Sequence, residues 1–388
     1  MKRRERGDSE KTRRWRWIGL IAALLLVGQP VSAQDEREPF VVYNGVLDTI
    51  VQNRDDVGIA CFTIGSPASG VYLNADERFP LASVSKILVL AEYARRVVEG
   101  SLDPAERVSI GALDAYWLPR TDGNRHQAWL EETPTIDNAY PLFEVVRAMM
   151  YYSSNAATDY LAERFGRASF IELYARLGLR DTDYPTNWIG LFLALENHDT
   201  GTRNLDDLDA ESVALESARL TRLYVDDPVW RLSERTERAN QRRAFDATSD
   251  EQASYFEQYG AQGTPREIAR VMAAIFSGEI VSAQVSAIMR DAMDWSMDAP
   301  ENRESFNMLA TKGGSLPGIL TSAWFAAPRG NLSDPQPRMP TALVIFYRDM
   351  PISLYRNWLR DADQRVLEIE TLRSGCGTLA RGVGQGGG

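Results

Sequence analysis

Apolar residues gather into short β-rich runs near both ends of the chain and recur at helical spacing between them. Val57–Ile64 and Gly70–Leu73 are strand-like, and Gly65-Ser-Pro-Ala-Ser-Gly70 between them predicts a hairpin. The stretch from Ser83 to Val98 is apolar on nearly every side, as expected of a helix buried through the middle of a domain. Helical spacing returns at Pro141–Tyr152, Ala156–Phe165, Ser169–Leu177 and Pro265–Ser277. Later, Met308–Thr311, Ile319–Ala326 and Thr341–Tyr347 predict three strands, and Ser353–Leu372 a last helix. A disordered tail is expected over 376–388, where glycine is frequent.

Strands at both ends with helices between them predict an α/β (α+β) fold, in which a sheet built from the two termini carries an inserted helical lobe. The expected division is an α/β lobe from 34–82 and 300–375 and a helical lobe from 83–299. Within the latter, 197–262 is polar and highly charged and reads as an insertion with partly helical packing around Leu220, Leu223, Tyr224 and Trp230.

Residues 1–33 change the picture of where the protein works. Lys2 to Arg16 is basic, Ile18 to Gly28 is apolar, and Val31-Ser-Ala33 is a small-residue exit, so a secretory signal cleaved after Ala33 is expected. This places the protein in a periplasmic or extracellular compartment, with no stable membrane insertion after cleavage. The leader carries eight basic and three acidic residues, so the net charge of −11 becomes −16 without it. No basic stripe exists outside the leader, which argues against nucleic acid as a partner. Export would permit Cys61 and Cys376 to pair; the alternative is two free thiols, with Cys61 buried in a strand. His126 and His198 have no partners at ligand spacing, so neither a zinc site nor a Ser-His-Asp triad is expected, and no cofactor is implied.

Lysine points to the chemistry. Of four lysines, Lys2 and Lys11 fall in the leader, and the rest of the chain keeps only Lys86 and Lys312 among many arginines. Arginine cannot act as a base at working pH, whereas a desolvated lysine can. Phe79-Pro-Leu-Ala-Ser83-Val-Ser-Lys86 puts a serine and a lysine on one face at a helix start, where free N–H groups favour a developing oxyanion. The alternative reading is a capping serine beside a snorkelling lysine. Tyr151-Tyr-Ser153-Ser-Asn155 offers a hydroxyl and an amide two residues apart, or else a helix N-cap. Thr311-Lys312-Gly313-Gly314-Ser315 places a cation beside backbone open to close approach, or else makes a hairpin turn.

Ser-x-x-Lys, Ser-x-Asn and Lys-x-Gly in this order resemble the motif set of class A β-lactamases and penicillin-binding proteins. Asn74 to Ser83, Thr264-Pro-Arg-Glu-Ile-Ala-Arg270 and Ile345-Phe-Tyr-Arg348 through Asn357 strengthen the resemblance, which excludes roughly 105–140 and 197–262. It implies the serine β-lactamase/DD-peptidase fold, with an antiparallel five-stranded sheet. It further implies that Ser83 is acylated, Lys86 is the base, and Ser153 protonates the leaving nitrogen. Asn155, Lys312 and Gly314 would bind substrate, with the N–H groups of Ser83 and Ser315 as the oxyanion hole. The implied partner is a small-molecule β-lactam or a peptidoglycan-like amide. Alternatives are a D-alanyl-D-alanine peptidase, another amide or ester hydrolase, or a non-catalytic binding protein on this scaffold. Two positions depart from the family: Ile189 stands where class A enzymes carry the glutamate that activates water, with Glu196 the nearest later carboxylate, and Gly313 replaces a hydroxyl residue that binds carboxylate.

Overall fold

The computed structural model describes residues 45–204, 209–241, 245–330, 339–361 and 363–383. The leader expected over 1–33 lies outside them. Five strands form one antiparallel sheet: β1 Val57–Thr63, β2 Val71–Leu73, β3 Phe306–Leu316, β4 Ile319–Pro328 and β5 Thr341–Tyr347, in the order β2-β1-β5-β4-β3. The N- and C-terminal strands meet at the centre, where Val57 pairs with Tyr347 and Thr63 with Thr341.

Period-2 alternation splits each central strand between two cores. Ala60 and Phe62 of β1, with Ala342, Val344 and Phe346 of β5, face the helical lobe. Val57, Ile59 and Cys61, with Leu343, Ile345 and Tyr347, face the terminal helices instead. Both faces are covered, which is why these two strands read as unbroken apolar runs.

Helix α1, Lys86–Val98, runs through the helical lobe, and its residues from Ile87 to Ala91 have no exposed surface. Helices α2 Arg125–Glu132, α3 Asn155–Phe165 and α4 Trp188–Leu195 pack around it or over the cleft beside it. The insertion contributes helices Ala210–Asp226, Pro228–Asn240 and Ser249–Tyr259. Their apolar faces build a third core over α4, with Leu220, Tyr224 and Phe256 against Phe192 and Leu195. At Gly190 a Cβ would lie 2.1 Å from the Ser217 carbonyl oxygen, so α4 and the first insertion helix touch backbone to backbone.

Helix covers Ile352–Asp361 and Asp363–Ser374, with residue 362 outside the described residues. Two expectations change. Residues 377–383, expected as disordered tail, form a helix whose Leu379 and Val383 pack on the outer face of the sheet; 384–388 lie outside the described residues. Cys376 is not part of a loose end either, because it is bonded to Cys61 of β1 at 2.04 Å. No described helix is long and apolar enough to cross a membrane.

Candidate active site

Ser83 sits at the start of α1, but in a tighter turn than the sequence predicts. Ala82–Ser85 is a 3₁₀ turn, and α-helix begins only at Lys86. Ala82 has φ +44, a left-handed conformation that costs an alanine on the order of 1–3 kcal/mol. Surrounding bonds hold it there. The Ser85 hydroxyl donates to the Ala82 carbonyl at 2.8 Å, and Thr321 Oγ1 of β4 donates to the Leu81 carbonyl at 3.0 Å. The turn also leans on edge strand β3: a Cβ on Gly314 would stand 2.5 Å from the Ser83 backbone nitrogen. The absence of a side chain at 314 lets the strand approach the nucleophile.

The Ser-x-Asn residues are presented by a second strained turn. Helix Leu142–Arg147 widens into a π-turn over Ala148–Tyr152 and ends in left-handed Ser153, φ +62. The N-cap of α3 is neither Ser153 nor Asn155 but Ser154, whose hydroxyl accepts from Ala157 N at 3.1 Å. Both flanking side chains are thereby released to the cleft. Lys312 lies within β3 and not in a turn, since the strand continues to Leu316.

Lys86 has no exposed surface, which excludes the snorkelling alternative. Its Nζ reaches the Ser153 carbonyl at 2.6 Å, Asn155 Oδ1 at 2.8 Å and Ser153 Oγ at 3.2 Å. Lys312 Nζ approaches the same hydroxyl from the other side, at 3.0 Å, and donates to the Gly313 carbonyl at 2.7 Å. One hydroxyl therefore bridges the only two lysines among the described residues. Burial pulls Lys86 down to about 7, against a smaller opposing pull from Asp122 and Asp159. Lys312 is also held well below the usual lysine range, by burial first and then by the charges of Lys86 and Arg125.

A neutral Lys86 has two N–H donors and one lone pair. Its two short contacts are with obligate acceptors, so the donors are used there. Its lone pair can then accept a proton from a hydroxyl.

Ser315 is exposed on β3, two residues from Gly313 and so on the same face of the strand. Its backbone lies on the edge strand, where outward N–H groups are open to a ligand.

Ile189 is 2% exposed and packs in the apolar core over α4. Glu196 is committed elsewhere. Its carboxylate accepts from Thr202 Oγ1 at 2.7 Å, Asp246 N at 2.8 Å and Ala247 N at 3.2 Å, which anchors the insertion. His126 Nδ1 pairs with Ser154 Oγ at 2.9 Å and His198 Nδ1 with Glu234 at 2.8 Å.

Two acidic residues near Lys86 escape the sequence reading. Asp159 accepts from Trp188 N at 2.9 Å and Ile189 N at 2.8 Å, so it caps α4 with both oxygens. Burial nevertheless raises it to about 7. It lies four residues after Asn155, a spacing that places both on one helix face. Asp122 accepts from the backbone of Arg125 at 3.2 Å and of His126 at 3.1 Å. Asn155 Nδ2 donates to the Thr121 carbonyl beside it, at 3.3 Å.

The sequence profile of the β-lactamase enzyme family matches residues 45–323. A β-lactamase from Citrobacter koseri is 24% identical over 168 residues, which cover 43% of this chain and 53% of that protein; the chain thus spans about half the length of this relative. Among solved structures, a β-lactamase from Sphaerobacter thermophilus superposes with a TM-score of 0.52 at 16% identity, covering 85% of this chain and 96% of the other. The reconstructed last common ancestor of Gram-negative class A β-lactamases gives 0.48 at 15% identity, covering 86% and 96%. With the five-stranded sheet and helical lobe of the serine β-lactamase fold, and the profile matching most of its length, the chain belongs to the β-lactamase enzyme family.

Proposed function

We propose that the protein is an exported serine hydrolase, acylated on Ser83 by β-lactams or related amides and released from the acyl group slowly. The observation that carries this reading is the meeting of Lys86, three residues after Ser83 in the chain, and Lys312 at the Ser153 hydroxyl. Neutral Lys86 takes the proton of Ser83 as its Oγ attacks the carbonyl carbon. The resulting oxyanion is met by the N–H groups of Ser83 and Ser315. As the amide C–N bond breaks, Ser153 gives its proton to the leaving nitrogen and recovers one from Lys86. Asn155, which keeps a second N–H beyond its bond to Thr121, and Lys312 hold the substrate.

Slow release is supported by what surrounds the acyl position. The α4 segment is apolar, both Asp159 oxygens bind its N-terminus, and Glu196 is occupied by the insertion. Export is supported by the leader-like 1–33 and by the Cys61–Cys376 bond, which persists in oxidising compartments.

Incubation with a fluorescent penicillin is expected to label the wild-type protein at one site, with decay of the label much slower than its formation and little nitrocefin turnover. Cleavage of a D-Ala-D-Ala peptide alongside labelling would assign the peptidase alternative. A protein that neither labels nor turns over either compound contradicts the proposal.

A further inference from the structure

An acyl group leaves Ser83 by hydrolysis only if a water molecule gives up a proton as it attacks the ester. Ile189 is apolar, Glu196 is held by the insertion and both Asp159 oxygens bind α4, so the base that remains beside Ser83 is Lys86. A water served by Lys86 has to stand against Nζ. The Ser153 carbonyl and Asn155 Oδ1 already hold that nitrogen at 2.6 and 2.8 Å.

Another side of Nζ is covered by the indole of Trp188, whose ring centroid lies 5.4 Å away. A water between them would need about 3 Å to Nζ and about 3.5 Å to the ring, on the order of 6.5 Å in all. The gap is too small. Trp188 is buried and opens α4, and its backbone N–H donates to Asp159 Oδ1 at 2.9 Å. Asp159 lies one turn after Asn155 on α3, so the helix that brings Asn155 to Lys86 also fixes the ring over it. The indole stacks on Phe192 at 6.0 Å and lines a pocket of about 290 Å³ together with Ala82 and Ser85 of the nucleophile turn and Phe256 of the insertion. Trp188 thus borders both Lys86 and this pocket.

We infer that Trp188 is a positioning residue that withholds water from Lys86 and from the ester on Ser83, so that an acyl group formed there persists. The inference deepens the slow release proposed above and rests on it. A smaller side chain at 188 opens the pocket toward Nζ. Water entering there gives a proton to Nζ as its oxygen attacks the ester carbonyl carbon; the bond from that carbon to Ser83 Oγ then breaks, and Oγ takes the proton back from Nζ. The same opening hydrates the Lys86 ammonium. Its charged neighbours, Asp122 before α2, Asp159 of α3 and Lys312 of β3, stay in place, while burial, the largest influence on its basicity, is relieved. Loss of the ring's own attraction for a cation opposes this and is the smaller effect.

The test follows penicillin labelling across pH 5 to 9, and decay of the label, in wild type, Trp188→Ala, Trp188→Leu and Trp188→Phe. Trp188→Ala and Trp188→Leu are expected to release the acyl group about 100-fold faster than wild type, the low end of what a positioned base contributes. They should also move the midpoint of the acylation profile upward from about 7, by about one unit. Trp188→Phe keeps a ring face and should hold both close to wild type. Decay is read only on labelled, hence folded, molecules, and Trp188→Leu carries the test if Trp188→Ala does not fold. An adduct on wild type whose decay and pH midpoint are unchanged in Trp188→Leu overturns the inference while leaving acylation intact. Release from Trp188→Phe as fast as from Trp188→Leu overturns it as well. Absence of any adduct on wild type defeats the hydrolase reading and this inference with it.

Discussion

Replacing Lys86 with methionine is expected to slow acylation by a penicillin by about 10³-fold, the size of effect carried by a positioned general base. Methionine fills nearly the same volume, so the core around Ile87 to Ala91 stays packed and the loss reads on chemistry. The same residue fixes the pH profile. Lys86 must be neutral to accept the Ser83 proton, and burial has brought it down to about 7. The wild-type acylation rate should therefore climb about tenfold per pH unit below that value and level off above it. Stopped-flow measurement across pH 5 to 9 checks this. A profile that keeps rising toward pH 10, as for an ordinary lysine, would contradict it.

Gly314→Ala should lower acylation by about 10²-fold, the scale reported for a displacement of about 1 Å at a reacting group. The added methyl would meet the Ser83 nitrogen at 2.5 Å, Thr321 Oγ1 at 2.6 Å and Ala82 Cβ at 2.9 Å. Two of these belong to the nucleophile turn itself, so relief must move either Ser83 or the β3 edge that supplies the Ser315 N–H. The neighbouring substitution is the comparison. At Gly313 a methyl meets only the Thr321 carbonyl oxygen, at 3.7 Å, an ordinary contact, and a change of roughly threefold at most is expected there. Equal effects at the two glycines would show that β3 does not press on the nucleophile.

The sheet and the three motifs were legible because their signals are local. The short apolar, β-rich runs Thr341–Tyr347 and Val57–Thr63 mark strands whatever the rest of the chain does. Ser83, Lys86, Ser153, Asn155 and Lys312 stand out by residue type and order. What the sequence hid depends on contacts far along the chain. Ser154 takes the cap because the π-turn rotates Ser153 out of the helix, and no propensity encodes that rotation. The terminal helix reads as a glycine-rich tail until the Cys61 bond and the outer face of the sheet give Leu379 and Val383 a surface to cover. Asp122 lies where the family resemblance is weakest, and only the docking of the 121–126 segment on the Ser153–Asn155 turn brings it near Lys86. Glu196 illustrates the reverse error: a carboxylate near the right place in sequence is bound into the insertion by Thr202, Asp246 and Ala247.

The identity of the nucleophile is open to a direct measurement, peptide mapping by mass spectrometry after penicillin treatment of the wild type and of Ser83→Ala. The account predicts one modified peptide, the one containing Ser83, and no adduct on the variant. An adduct on another residue, or one that survives in Ser83→Ala, would contradict it.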